Sequence, residues 1–214
     1  MKRSRKNKYE ATGKPRNSVA AFVLAGGAST RMGRDKALLE LDGVPMLLRM
    51  IRLAEPHVAS PVVIGPPERY GSLAPDVVPD HWPGTGPLGG IATALHVSSS
   101  EWNLVLGCDL PYLTEEWINW LIARARESSA QAVVPESKRG VEPLAAMYRH
   151  DCEPTFAAAV DRGVRRISEA LQEITLERVT TSQWRGIEHA DDLFQNMNTT
   201  EDFAEAQRRI GKPS

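Results

Sequence analysis

The chain has no apolar run long enough to cross a bilayer. Its longest, Val19 to Ala25, is seven residues, where a spanning helix needs roughly 18. Cysteine is nearly absent: Cys108 and Cys152 are the only two, too few for a disulfide framework and without the CxxC spacing of a zinc site. That usage fits a reducing cytoplasm. None of the five histidines, His57, His81, His96, His150 and His189, belongs to an HExxH pair, so none is assigned to catalysis. No GxGxxG follows the first strand, so the dinucleotide-binding fingerprint is absent from that place, and no GxxxxGK(S/T) occurs, so there is no Walker A loop.

What remains is the composition of one soluble globular domain. It has 214 residues, 42% hydrophobic and 25% charged, with 16 glycines and 15 prolines, enough to bury a core. Charge is unevenly spread. Residues 2–16 carry seven basic side chains against Glu10, a net +6, so the overall −1 leaves −7 for the rest. Residues 1–17 therefore read as a disordered basic tail and 18–214 as the folded domain. Nothing in the tail specifies a nucleic acid, and neither nucleic-acid nor membrane binding is expected. Basic residues followed by VAAFVLAGGAS imitate a secretion signal. Cleavage there would discard the loop that the chemistry below requires, so residues 19–36 are expected to be kept.

Strand and helix patterns alternate along the chain. SVAAFVLA, PVVIG, DVVPD, WNLVLGCD, QAVVPE, LAAMYR and TLERVTT are short runs rich in apolar and β-branched residues, as buried strands are. PMLLRMIRLAE, opened by Pro45, spaces Leu47, Met50, Ile51 and Ala54 on one helical face. PLGGIATALHV is opened by Pro87, PYLTEEWINWLIARARE is capped by Thr114, and further helical patterns cover about 151–173 and 200–209. The alternation predicts an α/β fold: a single three-layer Rossmann-like domain with a mostly parallel sheet. Ligands of such sheets bind at the carboxyl ends of the strands. Two conspicuous places fall there, the Gly26-Gly27 loop and Asp109.

The loop VLAGGASTRMGRDK has the physics of an anion site. Gly26 and Gly27 let backbone N–H groups approach a ligand with no Cβ in the way, and Ser29 and Thr30 add hydroxyl donors. Arg31 contributes a planar fork of donors and Lys36 a compact charge. A Gly-Gly turn alone is weak evidence of a site. With Arg31, Gly33 and Lys36 close behind it, the signal is much stronger.

LAGGASTRMGRDKALLELDGVP resembles the signature of the molybdenum cofactor nucleotidyltransferases, the MobA-like family, and most closely its guanylyltransferases. PDHWPGTGPLGGI, GCDLPYL, VEPLAAMY and NMNTTEDFAEA resemble further segments of that family in the same order, from about residue 19 to 210. The resemblance implies a fold of the nucleotide-diphospho-sugar transferase type. It implies Mg²⁺ as cofactor and transfer of GMP from GTP to the terminal phosphate of molybdopterin, or Mo-molybdopterin, with release of pyrophosphate. Transient contact with other cofactor-biosynthesis proteins and apo-molybdoenzymes would accompany that role.

Site residues follow from the same resemblance. For GTP it implies Leu24, Ala25, Gly26, Gly27, Lys36, Gly65, Asp80 and Asp109; for molybdopterin it implies Gly86, Gly90, Arg165, Arg166, Asn196 and Asn198. Arg31, Lys36 and Asp109 would be catalytic, with Asp109 holding the metal. An acceptor phosphate is already anionic, so no general base is needed, and catalysis reduces to positioning and charge neutralisation. Asp80 is expected to face guanine, whose N1–H and exocyclic amine lie side by side where a carboxylate can accept both. Gly65 stands where the family often has a polar residue, so it can offer only backbone. Asn198 is either a metal partner or a cap of the last helix, a task open also to Thr199 and Thr200. Arg165 and Arg166 either meet the acceptor phosphate or form a solvated helix start. Cys108 is expected in the core, and Trp117 and Trp120 in the core or an interface.

Three other activities compete with this one. A cytidylyl-type molybdopterin enzyme would resemble LAAG at Leu24-Ala25-Gly26-Gly27. An enzyme acting on sugar phosphates would carry a longer Pro-rich activation loop. A non-enzymatic cofactor carrier would not need Arg31, Lys36 and Asp109 together.

Overall fold

The apolar run that imitates a secretion signal forms β1 (Val19–Leu24), which pairs in parallel with a strand on each side. The computed structural model describes residues 18–26 and 35–210; the expected tail, Gly27 and Arg31 lie outside these residues. After β1 come β2 (Glu40–Leu41), β3 (Val44–Pro45), α1 (Met46–Ala54), β4 (Val62–Ile64), α2 (Pro67–Tyr70), β5 (Val77–Val78) and α3 (Pro87–Val97). Then follow β6 (Trp102–Gly107), α4 (Glu115–Glu127), β7 (Ala132–Ser137), β8 (Gly140–Val141) and β9 (Ala145–Arg149). The chain closes with α5 (Glu153–Asp161), α6 (Ile167–Ala170), β10 (Leu176–Thr180) and α7 (Thr200–Ile210).

The main sheet has the order β10-β7-β9-β6-β1-β4-β5, with β8 hydrogen-bonded to β7. β5, β4, β1 and β6 are parallel neighbours, while β9 runs antiparallel between β6 and β7. Because successive side chains of a strand point to opposite faces, β1 and β6 feed two cores. Ala21, Val23, Leu104 and Leu106 join one, with α1, α4 and α7; Phe22 and Val105 join the other, with α3 and α5. The mostly parallel, three-layer arrangement expected from the sequence is therefore present.

Local chemistry accounts for the element ends. The Thr114 side chain accepts from the backbone N–H of Trp117 and caps α4. Leu47, Met50, Ile51 and Ala54 are buried as their spacing predicts, though Pro45 is the cap of α1 and Met46 its first residue. The helical pattern over 151–173 is broken: α5 ends at Asp161, and Gly163 takes a φ of 86° before α6 begins. The β2–β3 hairpin was not anticipated, although Asp42 and Gly43 turn it with φ of 53° and 69°, the two left-handed residues of a type I′ turn. Trp117 is buried and stacks on Trp120 at 5.2 Å, with Trp184 and Phe194 edge-on to it. Cys108 is buried as well.

The ends of β1 and β4 approach so closely that only glycine fits at position 65. A Cβ there would stand 2.4 Å from the carbonyl oxygen of Ala25 and 3.0 Å from the Tyr70 ring. Backbone on one side and a buried ring on the other leave little room to relax. Gly65→Ala is expected to destabilise the fold by about 1–3 kcal/mol, the range for an overpacked site, read as a lowered midpoint in urea denaturation at unchanged slope.

Candidate active site

Parallel pairing of β5, β4, β1 and β6 brings their carboxyl ends to one edge of the sheet, and a cleft of about 910 Å³ opens there. This is within the range of roughly 300–1,000 Å³ for small-molecule and cofactor sites, at the place where such sheets bind ligands. Leu24, Ala25, Gly26, Lys36, Gly65, Asp80, Gly86, Gly90, Asp109 and Asn198 all line it. None of the five histidines does.

One wall is the end of β1. Gly26 leaves the strand with a φ of 118°, a conformation that side chains rarely allow. The N–H of Ala25 donates to Ile64 O at 2.9 Å and that of Gly65 to Val78 O at 2.9 Å. The Gly65 N–H is thereby used by the sheet and is not available to a nucleotide.

Lys36 enters from a short 3₁₀ turn at 36–38 that Asp35 caps by accepting from the N–H of Ala37 at 3.1 Å. The other Asp35 oxygen accepts from the Tyr70 hydroxyl at 2.7 Å and from Arg69 at 3.0 Å. Burial and the adjacent carboxylate push the Tyr70 phenol well above its ordinary pKa, so it stays protonated and donates. The acidic neighbour of the lysine is thus occupied by protein donors on both oxygens. Sequence reading passed over Asp35 and Tyr70; the adjacency of Asp35 to Lys36 was the available signal.

Lys36 Nζ donates to Asn198 Oδ1 at 2.5 Å. Asn198 arrives there because the N–H of Met197 donates to the carbonyl of Asp109 at 2.8 Å, pinning the segment to the end of β6. The capping question at Asn198 is answered by its neighbours. The N–H of Asp202 donates to Thr199 Oγ1 at 3.1 Å, and the N–H groups of Asn198 and Thr199 donate to Asp202 Oδ2, each at 2.9 Å. Those backbone donors hold the Asp202 carboxyl below its ordinary pKa. Thr199 and Asp202 cap α7, which leaves the Asn198 side chain to the cleft.

Asp109 follows β6, with its carboxylate folded back over Gly107. A Cβ on Gly107 would lie 2.9 Å from Asp109 Oδ1 and 3.2 Å from Leu144 Cβ, so glycine is what makes room for the acid. Burial pushes the Asp109 carboxyl upward, opposed by the charge of Lys36 and by its own backbone N–H. A carboxylate strained toward its neutral form is ready to be repaid by a cation.

Asp80, just beyond β5, forms a tight turn. Its Oδ1 accepts from the N–H of Trp82 at 2.9 Å and from Thr93 Oγ1 at 2.8 Å. Among the described residues Oδ1 thus carries two donors and Oδ2 none, so Oδ2 is the oxygen left open to a ligand.

The residues that the resemblance implies for molybdopterin divide. Gly86 lines the cleft as the cap of α3, with a φ of 73°. Gly90 lines it too, and a Cβ there would stand 3.0 Å from Leu24 Cδ1, so it also lets α3 pack on the end of β1. Arg165, Arg166 and Asn196 do not line the cleft. Arg165 donates to the carbonyl of Val164 at 3.1 Å, and exposed Arg166 lies 3.8 Å from Glu169 at the start of α6.

A family model described as MobA-like NTP transferase domain matches residues 21–175. A Trichormus variabilis protein named "Probable molybdenum cofactor guanylyltransferase" is 36% identical over 200 residues, 89% of this chain and 91% of its own. A Deinococcus radiodurans protein of the same name is 34% identical over 193 residues, 89% of this chain and 95% of its own. Among solved structures, molybdopterin-guanine dinucleotide biosynthesis protein A from Archaeoglobus fulgidus superposes with a TM-score of 0.80 at 22% identity, covering 91% of this chain and all of that one. The 2-C-methyl-D-erythritol 4-phosphate cytidylyltransferase of Thermus thermophilus superposes at 0.66 and 16% identity, covering 90% of this chain and 98% of that one. The fold is thus that of the nucleotide-diphospho-sugar transferase type, and the chain belongs to the MobA-like NTP transferase family.

Proposed function

We propose that the protein transfers GMP from GTP to the terminal phosphate of molybdopterin, in a Mg²⁺-dependent reaction in the cytoplasm. The observation that carries this reading is the presence of Lys36, Asp109 and Asp80 on one cleft at the strand ends, in a chain whose relatives bear the guanylyltransferase name. In the reaction an oxygen of the acceptor phosphate bonds to the α-phosphorus of GTP. The bond from that phosphorus to the α,β-bridging oxygen breaks, and pyrophosphate leaves with the electron pair. No proton has to move.

Both reactants are anions, so the chain must hold them together against repulsion. Lys36 would neutralise the triphosphate, aimed by its bond to Asn198 and by the turn that Asp35 caps. Gly26 opens the approach to the backbone, and Asp80 faces the base. The donor set fits Mg²⁺, which takes one or two carboxylates and fills its shell with phosphate oxygens and water. Asp109 would hold it; the Asn198 carbonyl oxygen, which accepts from Lys36, keeps a second lone pair for the ion or one of its waters. When bound, the ion supplies charge neutralisation at the phosphates.

Incubation with each of the four nucleoside triphosphates, Mg²⁺ and molybdopterin, with pyrophosphate measured, tests the reading. GTP should be the productive donor; release from CTP alone would assign the cytidylyl activity instead, and release from none would overturn the enzyme reading. Lys36→Ala should lose about 2–4 kcal/mol of transition-state stabilisation in kcat/KM, the scale of one preorganised charge. Asp109→Asn should cut Mg²⁺-dependent turnover by roughly two orders of magnitude or more on the same reasoning. Its metal-free stability should move the other way. Because the folded-state pKa of Asp109 is raised, its ionised form costs stability, a cost absent below the ordinary carboxylate pKa of about 3.9 and incurred as pH rises through the folded value. In chelator, Asp109→Asn should melt above the parent protein at pH 7, with the gap closing toward pH 4.

A further inference from the structure

Thr93 is fully buried in the middle of α3 and forms no part of the cleft wall. A threonine hydroxyl inside a helix ordinarily bonds to its own helix, to a carbonyl a turn earlier. Here it leaves the helix. Thr93 Oγ1 donates to Asp80 Oδ1 at 2.8 Å and accepts from the N–H of His81 at 3.0 Å. With the N–H of Trp82 on the same Oδ1, the turn 80–82 is tied to α3 at two points, one through the side chain of Asp80 and one through the backbone.

We propose that Thr93 is a specificity-determining positioning residue, which selects guanine by holding the Asp80 carboxylate with Oδ2 free for the base. It rests on the reading of Asp80 as the group that faces guanine. A carboxylate turns broadly and with near two-fold symmetry about its last bond. One donor on Oδ1 would let it pivot; two donors from different elements hold its plane. The oxygen left over then has a defined direction, which is what discrimination between bases needs. The alternative, that the hydroxyl only satisfies buried polar groups, predicts an equal effect on every nucleotide.

The test compares GTP with inosine triphosphate, which differs from it only by lacking the exocyclic amine. Dissociation constants are measured by calorimetry with Mg²⁺ on the full chain, for the parent protein and for Thr93→Val, Thr93→Ser and Asp80→Asn. Thr93→Val keeps the branched shape and removes the hydroxyl. It should weaken GTP binding roughly tenfold, the scale of one hydrogen bond to a charged group, and shrink the preference for GTP over inosine triphosphate. Thr93→Ser should restore that preference. If Thr93→Val fails to fold, Thr93→Ala removes the same hydroxyl with no added bulk and is read in its place. Equal losses for both nucleotides in the hydroxyl-free variant would overturn the proposal while Asp80→Asn still narrows the preference. An unchanged preference in Asp80→Asn would instead overturn the guanine reading of Asp80, and the role of Thr93 with it.

Discussion

Parallel pairing of β1 with β4 on one side and β6 on the other is the constraint from which the site follows. Strands that run the same way end at the same edge, so Gly26, Gly65 and Asp109 meet although they are far apart in sequence. The pairing is tight enough to dictate composition. Gly65 has no space for a Cβ between Ala25 and Tyr70, and Gly107 has none beneath Asp109. Glycines at the strand ends thus do two tasks, letting the sheet close and leaving the cleft open.

The cleft is built against the preference of its own charges. Asp109 is largely buried and held away from its favoured ionisation, and Lys36 is restrained by a side-chain amide rather than by a carboxylate. Asp35, the nearest acid in sequence to that lysine, is occupied by Tyr70, Arg69 and its own turn. A free carboxylate there would compete with a triphosphate for the lysine; an occupied one orients the turn. Such tension between stability and binding is characteristic of sites that wait for a charged ligand.

Two of the side chains on the cleft, Lys36 and Asp80, are held by partners from other elements. Asn198 reaches Lys36 because Met197 hangs from the end of β6, and Asp80 is held by a hydroxyl from α3. The two anchors belong to opposite layers. α7, which follows Asn198, packs its buried Ala206 into one core, and α3 packs into the other. The sheet therefore carries the site between two cores.

The sequence by itself determined the strand–helix alternation, the bounds of α3, the Thr114 cap and the family to which VLAGGASTRMGRDK and its companion segments belong. These depend on periodicity and on chemistry between near neighbours, which a linear reading can see. It also carried an Asp-Gly signal for the β2–β3 hairpin that went unread, and its apolar pattern over 151–173 concealed the break at Gly163. Only the tertiary structure decided that Asp35 faces Tyr70, that Thr93 leaves its helix for Asp80, and that Arg165, Arg166 and Asn196 stay off the cleft wall. Those outcomes depend on which groups meet once the sheet has closed. A hydrogen bond between residues 13 or 162 positions apart leaves no trace in local spacing, because the fold, and not the chain, sets the distance.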